Sequence, residues 1–102
     1  MSLGLKREII VFLGAKQVGK STLIKALFPS INVDFKEPRF FRDYMLEENR
    51  YVREVCCRDD VFEILAYSIN AWKIFAALLI FDITRKSSLY VLEKWHLSLI
   101  HI

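Results

Sequence analysis

The chain has 102 residues, which is enough for one small domain but not for two, because single domains run to roughly 100 to 200 residues. Hydrophobic residues make up 54% of it and aromatic residues 14%, which excludes a disordered chain. The net charge of +3 comes from basic residues scattered among acidic ones, so the composition does not indicate a nucleic-acid-binding surface.

The first predicted elements are a strand and a helix. Glu8 to Leu13 (EIIVFL) is a β-branched apolar run without alternation, which is typical of a strand covered on both faces in a parallel sheet. Lys20 to Phe28 then has helical spacing of its apolar residues, and Pro29 ends it. The order is therefore strand, glycine-containing loop and helix.

The next two elements are predicted from residues 31–57. Ile31 to Phe35, between the only two prolines, is expected to be a second strand or an edge segment. For residues 39–57, steps of three and four between apolar residues favour a helix over a hairpin. The apolar positions are Phe40, Phe41, Tyr44, Met45, Tyr51, Val52 and Val55.

The C-terminal part adds a strand between two helical segments. Residues 59–73 are compatible with a helix, and Phe75 to Phe81 (FAALLIF) indicates another buried parallel strand, ending in Asp82. Ser87 or Ser88 is expected to cap a last helix, whose apolar face carries Leu89, Leu92 and Trp95. Strands separated by helices predict an α/β fold with a parallel sheet flanked by helices.

The apolar content is high for this length, with a mean hydropathy of +0.26. Because a small fold leaves part of its apolar surface uncovered, we expect a protein partner or a missing C-terminal region to cover the excess. The apolar stretch from Ile74 to Phe81 is far shorter than the roughly 20 residues that span a membrane. Residues 1–10 do not have the pattern of a secretory signal. The sequence predicts no membrane span and a cytoplasmic location.

The cysteines and histidines do not form a metal-ligand pattern. Cys56 and Cys57 are adjacent, point in different directions on either a strand or a helix, and have no other cysteine to pair with. His96 and His101 have no cysteine or carboxylate partner at zinc-ligand spacing. We expect reduced structural thiols and no zinc site.

The loop between the first strand and the first helix fits the phosphate-loop pattern G-x-x-x-x-G-K-[ST] completely, and it has the strand-to-helix context that the pattern requires. Gly14 and Gly19 permit backbone angles that a Cβ atom would penalise, so successive N–H groups turn inward as an anion nest. Lys20 supplies an ammonium for the β- and γ-phosphates, and Ser21 a hydroxyl ligand for Mg²⁺. The predicted phosphate-binding residues are Gly14, Lys16, Gln17, Val18, Gly19, Lys20, Ser21 and Thr22.

Asp82 is the candidate for the acidic residue that would hold Mg²⁺ together with Ser21. Phosphate-loop proteins usually hold Mg²⁺ with an acidic residue at the end of a neighbouring apolar strand, normally through water. The alternative is that Asp82 caps the turn that follows the strand. The next residues, Ile83 and Thr84, do not supply a general base for an attacking water. Nucleotide binding is therefore better supported than hydrolysis.

These motifs resemble a family of predicted AAA-type ATPases of bacteria and archaea, which carry a basic residue and Gln inside the loop, as Lys16-Gln17 do here. The segment Asp34-Phe35-Lys36-Glu37-Pro38 and the charged stretch after it are also similar to that family. The resemblance implies an ATP- and Mg²⁺-binding domain that continues past residue 102, so this chain would be an incomplete domain. The family has Asp-Glu where this chain has Asp82-Ile83.

A second resemblance is to small GTPases of the Ras and Rab type. The stretch ALLIFDITRKSSLYVLEKW, residues 77–95, and Val33 to Lys36 (VDFK) are similar to segments of those proteins. The Asp-x-x-Gly motif of that family is absent, since no glycine follows Gly19, and the sequence ends before the position of its Asn-Lys-x-Asp motif. A helix at residues 39–57 would favour the ATPase, and a β-hairpin the GTPase. A non-catalytic interaction module with a relict phosphate loop is a third alternative.

Overall fold

The computed structural model describes residues 8–58, 62 and 73–100, the last four of them as backbone only. Four strands form one sheet in the order β2-β3-β1-β4, with two helices in the described residues. The elements are β1 Glu8–Gly14, α1 Lys20–Leu27, β2 Phe41–Glu47, β3 Arg50–Cys56, β4 Ile74–Ile80 and α2 Lys86–Ile100. The prediction of an α/β fold is confirmed, but the sheet is mixed. Strand β1 pairs in parallel with β3 and β4, whereas β2 is antiparallel to β3.

Both faces of the central strand β1 are covered. Because side chains alternate along a strand, Val11 and Leu13 pack in one buried cluster with Trp95 of α2, whereas Phe12 packs in another with Ile24 of α1. Burial on both sides explains why this stretch of sequence is continuously apolar. The first predicted strand and helix are confirmed, and together they place the loop 14–21 at the carboxyl end of β1.

The prediction of a helix for residues 39–57 is wrong, because this segment forms the β2–β3 hairpin. A turn at Glu48 and Asn49 joins the strands, and Asn49 has a φ of 65°, a left-handed conformation that Asn tolerates better than most residues. Across the ladder, Arg53 donates to both carboxylate oxygens of Asp43 at 2.6 and 2.8 Å. The three- and four-residue steps come from apolar residues distributed over both faces of two strands.

The prediction of a strand at Ile31–Phe35 is also wrong, since these residues form an irregular loop. Side chains bind the backbone carbonyls that a neighbouring strand would otherwise bind: Lys25 Nζ donates to Ile31 O at 2.9 Å, and Arg42 Nη1 donates to Asp34 O at 3.0 Å. With those acceptors satisfied, the segment does not need a ladder partner. The buried Ile31 side chain holds the loop against the α1 face of the sheet.

Strand β4 and helix α2 follow the prediction with two corrections. Strand β4 is parallel to β1, but within the described sheet it is an edge strand whose residues alternate between half-buried and exposed. Phe75, for example, is 63% exposed. Helix α2 begins at Lys86, so Ser88 lies inside its first turn, where its buried hydroxyl donates to Arg85 O at 2.7 Å. The predicted helix at residues 59–73 lies outside the described residues, apart from positions 62 and 73.

Candidate functional site

The loop 14–21 contains two residues with a left-handed backbone, although one of its two glycines serves a different purpose from the predicted one. Gly19 has a φ of 95°, and Gln17, a residue with a side chain, has a φ of 61°. Left-handed residues between right-handed ones turn successive N–H groups to the same side, which makes a concave site for anions. Gly19 therefore has the left-handed backbone angle that the sequence predicts for it.

Gly14 is required for space and not for its backbone angle. A Cβ atom there would lie 2.7 Å from Ile80 O and 2.8 Å from Val18 Cγ2, closer than any ordinary contact. Gly14 is the last residue of β1, and its carbonyl accepts a hydrogen bond from Cys57 N at 2.8 Å. The loop thus begins at a point where β4 and Val18 leave no room for a side chain.

Lys20 is the buried charge of the site, with only 2% of the residue exposed. Its Nζ donates to Gly14 O at 2.9 Å and to Ala15 O at 2.7 Å, so the side chain folds back over the loop. It also forms an ion pair with Glu37 Oε2 at 3.1 Å. The two carbonyls take two of the three donors of the ammonium, and the contact with Glu37 is an ion pair in which Oε2 accepts no hydrogen bond from the part of the chain that the structure describes.

Glu54, which the sequence analysis did not identify, lies beside Ser21. Ser21 Oγ donates to Glu54 Oε2 at 2.7 Å, and Glu54 is 1% exposed. Because side chains alternate along β3, Glu54 shares with Val52 the face of the sheet that α1 covers. The sequence pattern that indicates Glu54 is an acidic residue between apolar ones on one face of a strand. The pattern could not be recognised while residues 39–57 were interpreted as a helix.

The environment of Glu54 disfavours its charge. Burial raises the pKa of Glu54 above its ordinary value of 4.5, while the hydrogen bond from Ser21 and the positive charge of Lys20 act in the opposite direction. Tyr44 Oη lies 3.5 Å from Glu54 Oε1. A buried carboxylate with a nearby hydroxyl oxygen is a pair of hard oxygen groups suited to a divalent cation.

Asp82, the sequence candidate for the metal, is engaged in the turn after β4. Its Oδ1 accepts hydrogen bonds from Thr84 N at 2.9 Å and from Thr84 Oγ1 at 2.6 Å, and these bonds hold the pKa of Asp82 below its ordinary value. Arg85 Nε lies 3.8 Å from its other oxygen. The structure does not bring Asp82 into the cavity that contains Ser21, and the turn-capping alternative describes what its carboxylate does.

Arg85 connects this turn to the loop 14–21. Its Nη2 donates to Lys16 O at 2.7 Å, across 69 positions of sequence. The Lys16 and Gln17 side chains at the tip of the loop are exposed. The loop is therefore held at its base by Gly14 and near its tip by Arg85.

A cavity of about 430 Å³ lies over the loop. Its lining residues are Lys16, Gln17, Gly19, Lys20, Ser21, Thr22, Phe35, Lys36, Glu37 and Glu54. Six of the eight predicted phosphate-binding residues are among them, whereas Gly14 and Val18 form the packed base of the loop. The two glutamates come from β3 and from the irregular loop after α1.

Comparison of the chain with protein-family models, curated proteins and solved structures finds no match. Across residues 8–58, 62 and 73–100, none of the helices has the length and apolar character needed to cross a membrane.

Proposed function

We propose that the loop 14–21 binds the β- and γ-phosphates of a nucleoside triphosphate together with Mg²⁺. The observation that carries the proposal is the position of Lys20, a buried ammonium whose Nζ binds the Gly14 and Ala15 carbonyls of the loop and lies beside a carboxylate. Lysine is almost never buried unless it is paired. Glu37 is the anion that pairs with it in the ligand-free protein, and a phosphate is an anion of the kind that can take this place.

The cavity has the size and donors for this ligand class. Gln17 and Gly19 of the loop line the cavity around Lys20 together with Lys16 and Lys36, and the Gln17 amide is a hydrogen-bond donor there. Helix α1 begins at Lys20, so the positive end of its dipole also points to this region. Phosphate oxygens are acceptors that match both kinds of donor.

For the metal, we assign Ser21 and Glu54 as the protein groups. The Ser21 hydroxyl gives its proton to Glu54, which leaves the lone pairs of Oγ free for a cation. Within the described part of the chain, no three His, Cys, Asp or Glu residues gather as a metal-binding group. This agrees with Mg²⁺, which usually takes few protein ligands and completes its shell with water and phosphate oxygens. Mg²⁺ would offset the negative charge of the phosphates there.

The β2–β3 hairpin favours GTP over ATP as the proposed nucleotide. The resemblance to AAA-type ATPases implies a helix at residues 39–57, and the resemblance to Ras- and Rab-type GTPases implies a hairpin there. The antiparallel outer strand β2 beside the parallel strands is the feature that favours the second resemblance. We do not propose hydrolysis: Ile83 and Thr84, which follow Asp82, do not supply a general base, and the two glutamates of the cavity are engaged with Lys20 and Ser21.

Titration with labelled GTP and ATP, with and without Mg²⁺, tests this function. We expect GTP to bind more tightly than ATP and both to depend on Mg²⁺. Lys20→Ala should weaken binding by roughly 10- to 100-fold, because it removes a charge-assisted hydrogen bond. Lys86→Ala, an exposed change on α2, is the matched control and should bind as the wild type does. Equal affinity in Lys20→Ala would refute the phosphate site.

The role of Glu54 has a separate test. Glu54→Gln keeps an acceptor for the Ser21 hydroxyl but removes the charge, so the Mg²⁺-dependent part of the affinity should fall by roughly 10- to 100-fold. Binding measured without Mg²⁺ should change little. If Asp82→Asn causes the larger loss, the metal assignment passes to Asp82. Single-turnover phosphate release that Lys20→Ala abolishes would show an enzyme instead of a binding module.

A further inference from the structure

The proposed phosphate loop already contacts an anion of its own chain. The backbone N–H of Gln17 donates to Glu37 Oε1 at 3.1 Å, and Lys20 Nζ lies 3.1 Å from Glu37 Oε2. A loop amide and the loop lysine are the two kinds of donor that a phosphate group would use at this site. The Glu37 carboxylate, with one oxygen on each donor, occupies them both.

We propose that Glu37 is a built-in competitor for the phosphate site. Its carboxylate fills the loop in the ligand-free protein and must leave before phosphates bind. The inference rests on the proposed function, since it takes the loop as the phosphate site. It adds a regulatory contact that neither of the two family resemblances implies.

Simultaneous occupancy is disfavoured by charge. Lys20 Nζ donates to Gly14 O and Ala15 O, and its contact with Glu37 Oε2 at 3.1 Å is an ion pair, since this oxygen accepts no hydrogen bond from the described residues. A phosphate that approaches Nζ meets the Glu37 carboxylate there. A phosphate that left Glu37 in place would be held in contact with a carboxylate in a cavity poorly screened by water, where like charges repel strongly.

The segment that carries Glu37 is ordered by its own contacts. Arg42 Nη1 donates to Lys36 O at 2.7 Å and to Asp34 O at 3.0 Å, on the N-terminal side of Glu37. On the other side, Pro38 is buried. Glu37 itself is half-buried, with 19% of its side chain exposed. These contacts on both sides of Glu37 hold its carboxylate beside the loop.

The same segment is connected to the metal side of the cavity. Tyr44 Oη accepts a hydrogen bond from Asp34 N at 3.2 Å and lies 3.5 Å from Glu54 Oε1. Arg42 Nη1 lies 3.5 Å from the same hydroxyl. Tyr44 therefore connects Glu54 to the bend that carries Glu37.

The experiment measures binding of inorganic tripolyphosphate with Mg²⁺, a probe that has the phosphates but no base. A closed site lowers the apparent affinity by the fraction of molecules that are open, so a Glu37 contact formed nine-tenths of the time lowers it about tenfold. We expect Glu37→Gln and Glu37→Ala to bind at least about tenfold more tightly than the wild type. Glu47→Gln is the control: it removes the same charge at an exposed position on the hairpin and should stay within about twofold of the wild type.

A second measurement reports the contact without any ligand. The Gln17 amide should shift in ¹H–¹⁵N spectra of the ligand-free Glu37→Gln and Glu37→Ala proteins and stay unchanged in Glu47→Gln. Circular dichroism shows whether each variant is folded. If either Glu37→Ala or Glu37→Gln does not fold, the other still tests the proposal.

The outcomes separate the inference from the proposed function. If Lys20→Ala abolishes tripolyphosphate binding but the Glu37 variants bind like Glu47→Gln, or more weakly than the wild type, the competitor role is overturned and the phosphate site stands. If tripolyphosphate does not bind, or binds equally to Lys20→Ala, the phosphate site fails and the competitor role fails with it.

Discussion

Gly14→Ala tests whether β4 approaches the start of the phosphate loop as closely as the structure shows. The added Cβ would lie 2.7 Å from Ile80 O and 2.8 Å from Val18 Cγ2. Ordinary contacts between such atoms are about 3.5 Å or longer, so the neighbours must move by roughly 0.7 Å. The Val18 side chain can adjust, but Ile80 O belongs to the backbone of a paired strand and cannot turn aside.

The expected cost follows from that backbone contact. Overpacking of this kind lowers the free energy of unfolding by about 1 to 3 kcal/mol, which corresponds to a fall in Tm of roughly 5 to 20 °C in a domain of this size. Urea and thermal denaturation measure it. The added methyl also lies 3.3 Å from Lys20 Cδ, so tripolyphosphate affinity should fall as well.

Gly19→Ala is the matched control, because nothing lies within 4 Å of its added Cβ. Its cost is left-handed backbone strain alone, about 1 to 2 kcal/mol, and the amide signals of β4 should stay in place. In Gly14→Ala those signals should move, above all near Ile80. A Gly14→Ala protein with a Tm within about 2 °C of the wild type and unchanged β4 signals would refute the close approach.

Two further predictions concern titrating groups. Because burial raises the pKa of Glu54, the folded protein binds that proton more tightly than the unfolded chain, so wild-type stability falls as pH rises from about 4.5 through the raised folded value. Relative to Glu54→Gln, urea denaturation should show the wild type losing stability over this window, and a constant difference would contradict the prediction. Burial also raises the pKa of Cys56 to about 11 and of Cys57 to about 12. Both thiols should react with a disulfide reagent at about pH 8 far more slowly in the native protein than in urea, and equal rates would contradict their burial.

Local signals in the sequence were sufficient for β1, α1 and the loop between them. Burial on both faces makes β1 continuously apolar, and the loop pattern needs specific residues at fixed spacing. The hairpin could not be recognised in the same way, because its apolar residues lie on two strands and both faces. Its turn uses Glu48-Asn49, which is a weaker signal than the Asn-Gly pair typical of such turns.

Glu54 was not predicted as a site residue because residues 39–57 were predicted to be a helix. Once residues 50–56 are a strand beside β1, Glu54 falls next to Ser21, a neighbour 33 positions away in sequence. Glu37 reaches the loop from just after the segment Ile31–Phe35, which was predicted as a strand or an edge segment but whose carbonyls at Ile31 and Asp34 are bound by Lys25 and Arg42. Contacts of this range depend on the tertiary arrangement, which local periodicity does not encode.

The hydrogen bond from Arg85 to Lys16 O has a consequence for the order of events during synthesis. The phosphate loop lies in the first fifth of the chain, yet the residue that holds its tip is made 69 positions later. At about 5 to 20 residues per second, that is a delay of roughly 3 to 14 s. A nascent chain that has emerged only as far as the β2–β3 hairpin contains the complete G-x-x-x-x-G-K-S motif but not Arg85, which binds the Lys16 carbonyl. If this loop is the phosphate site that we propose, its full support forms only when β4 and the turn after it arrive.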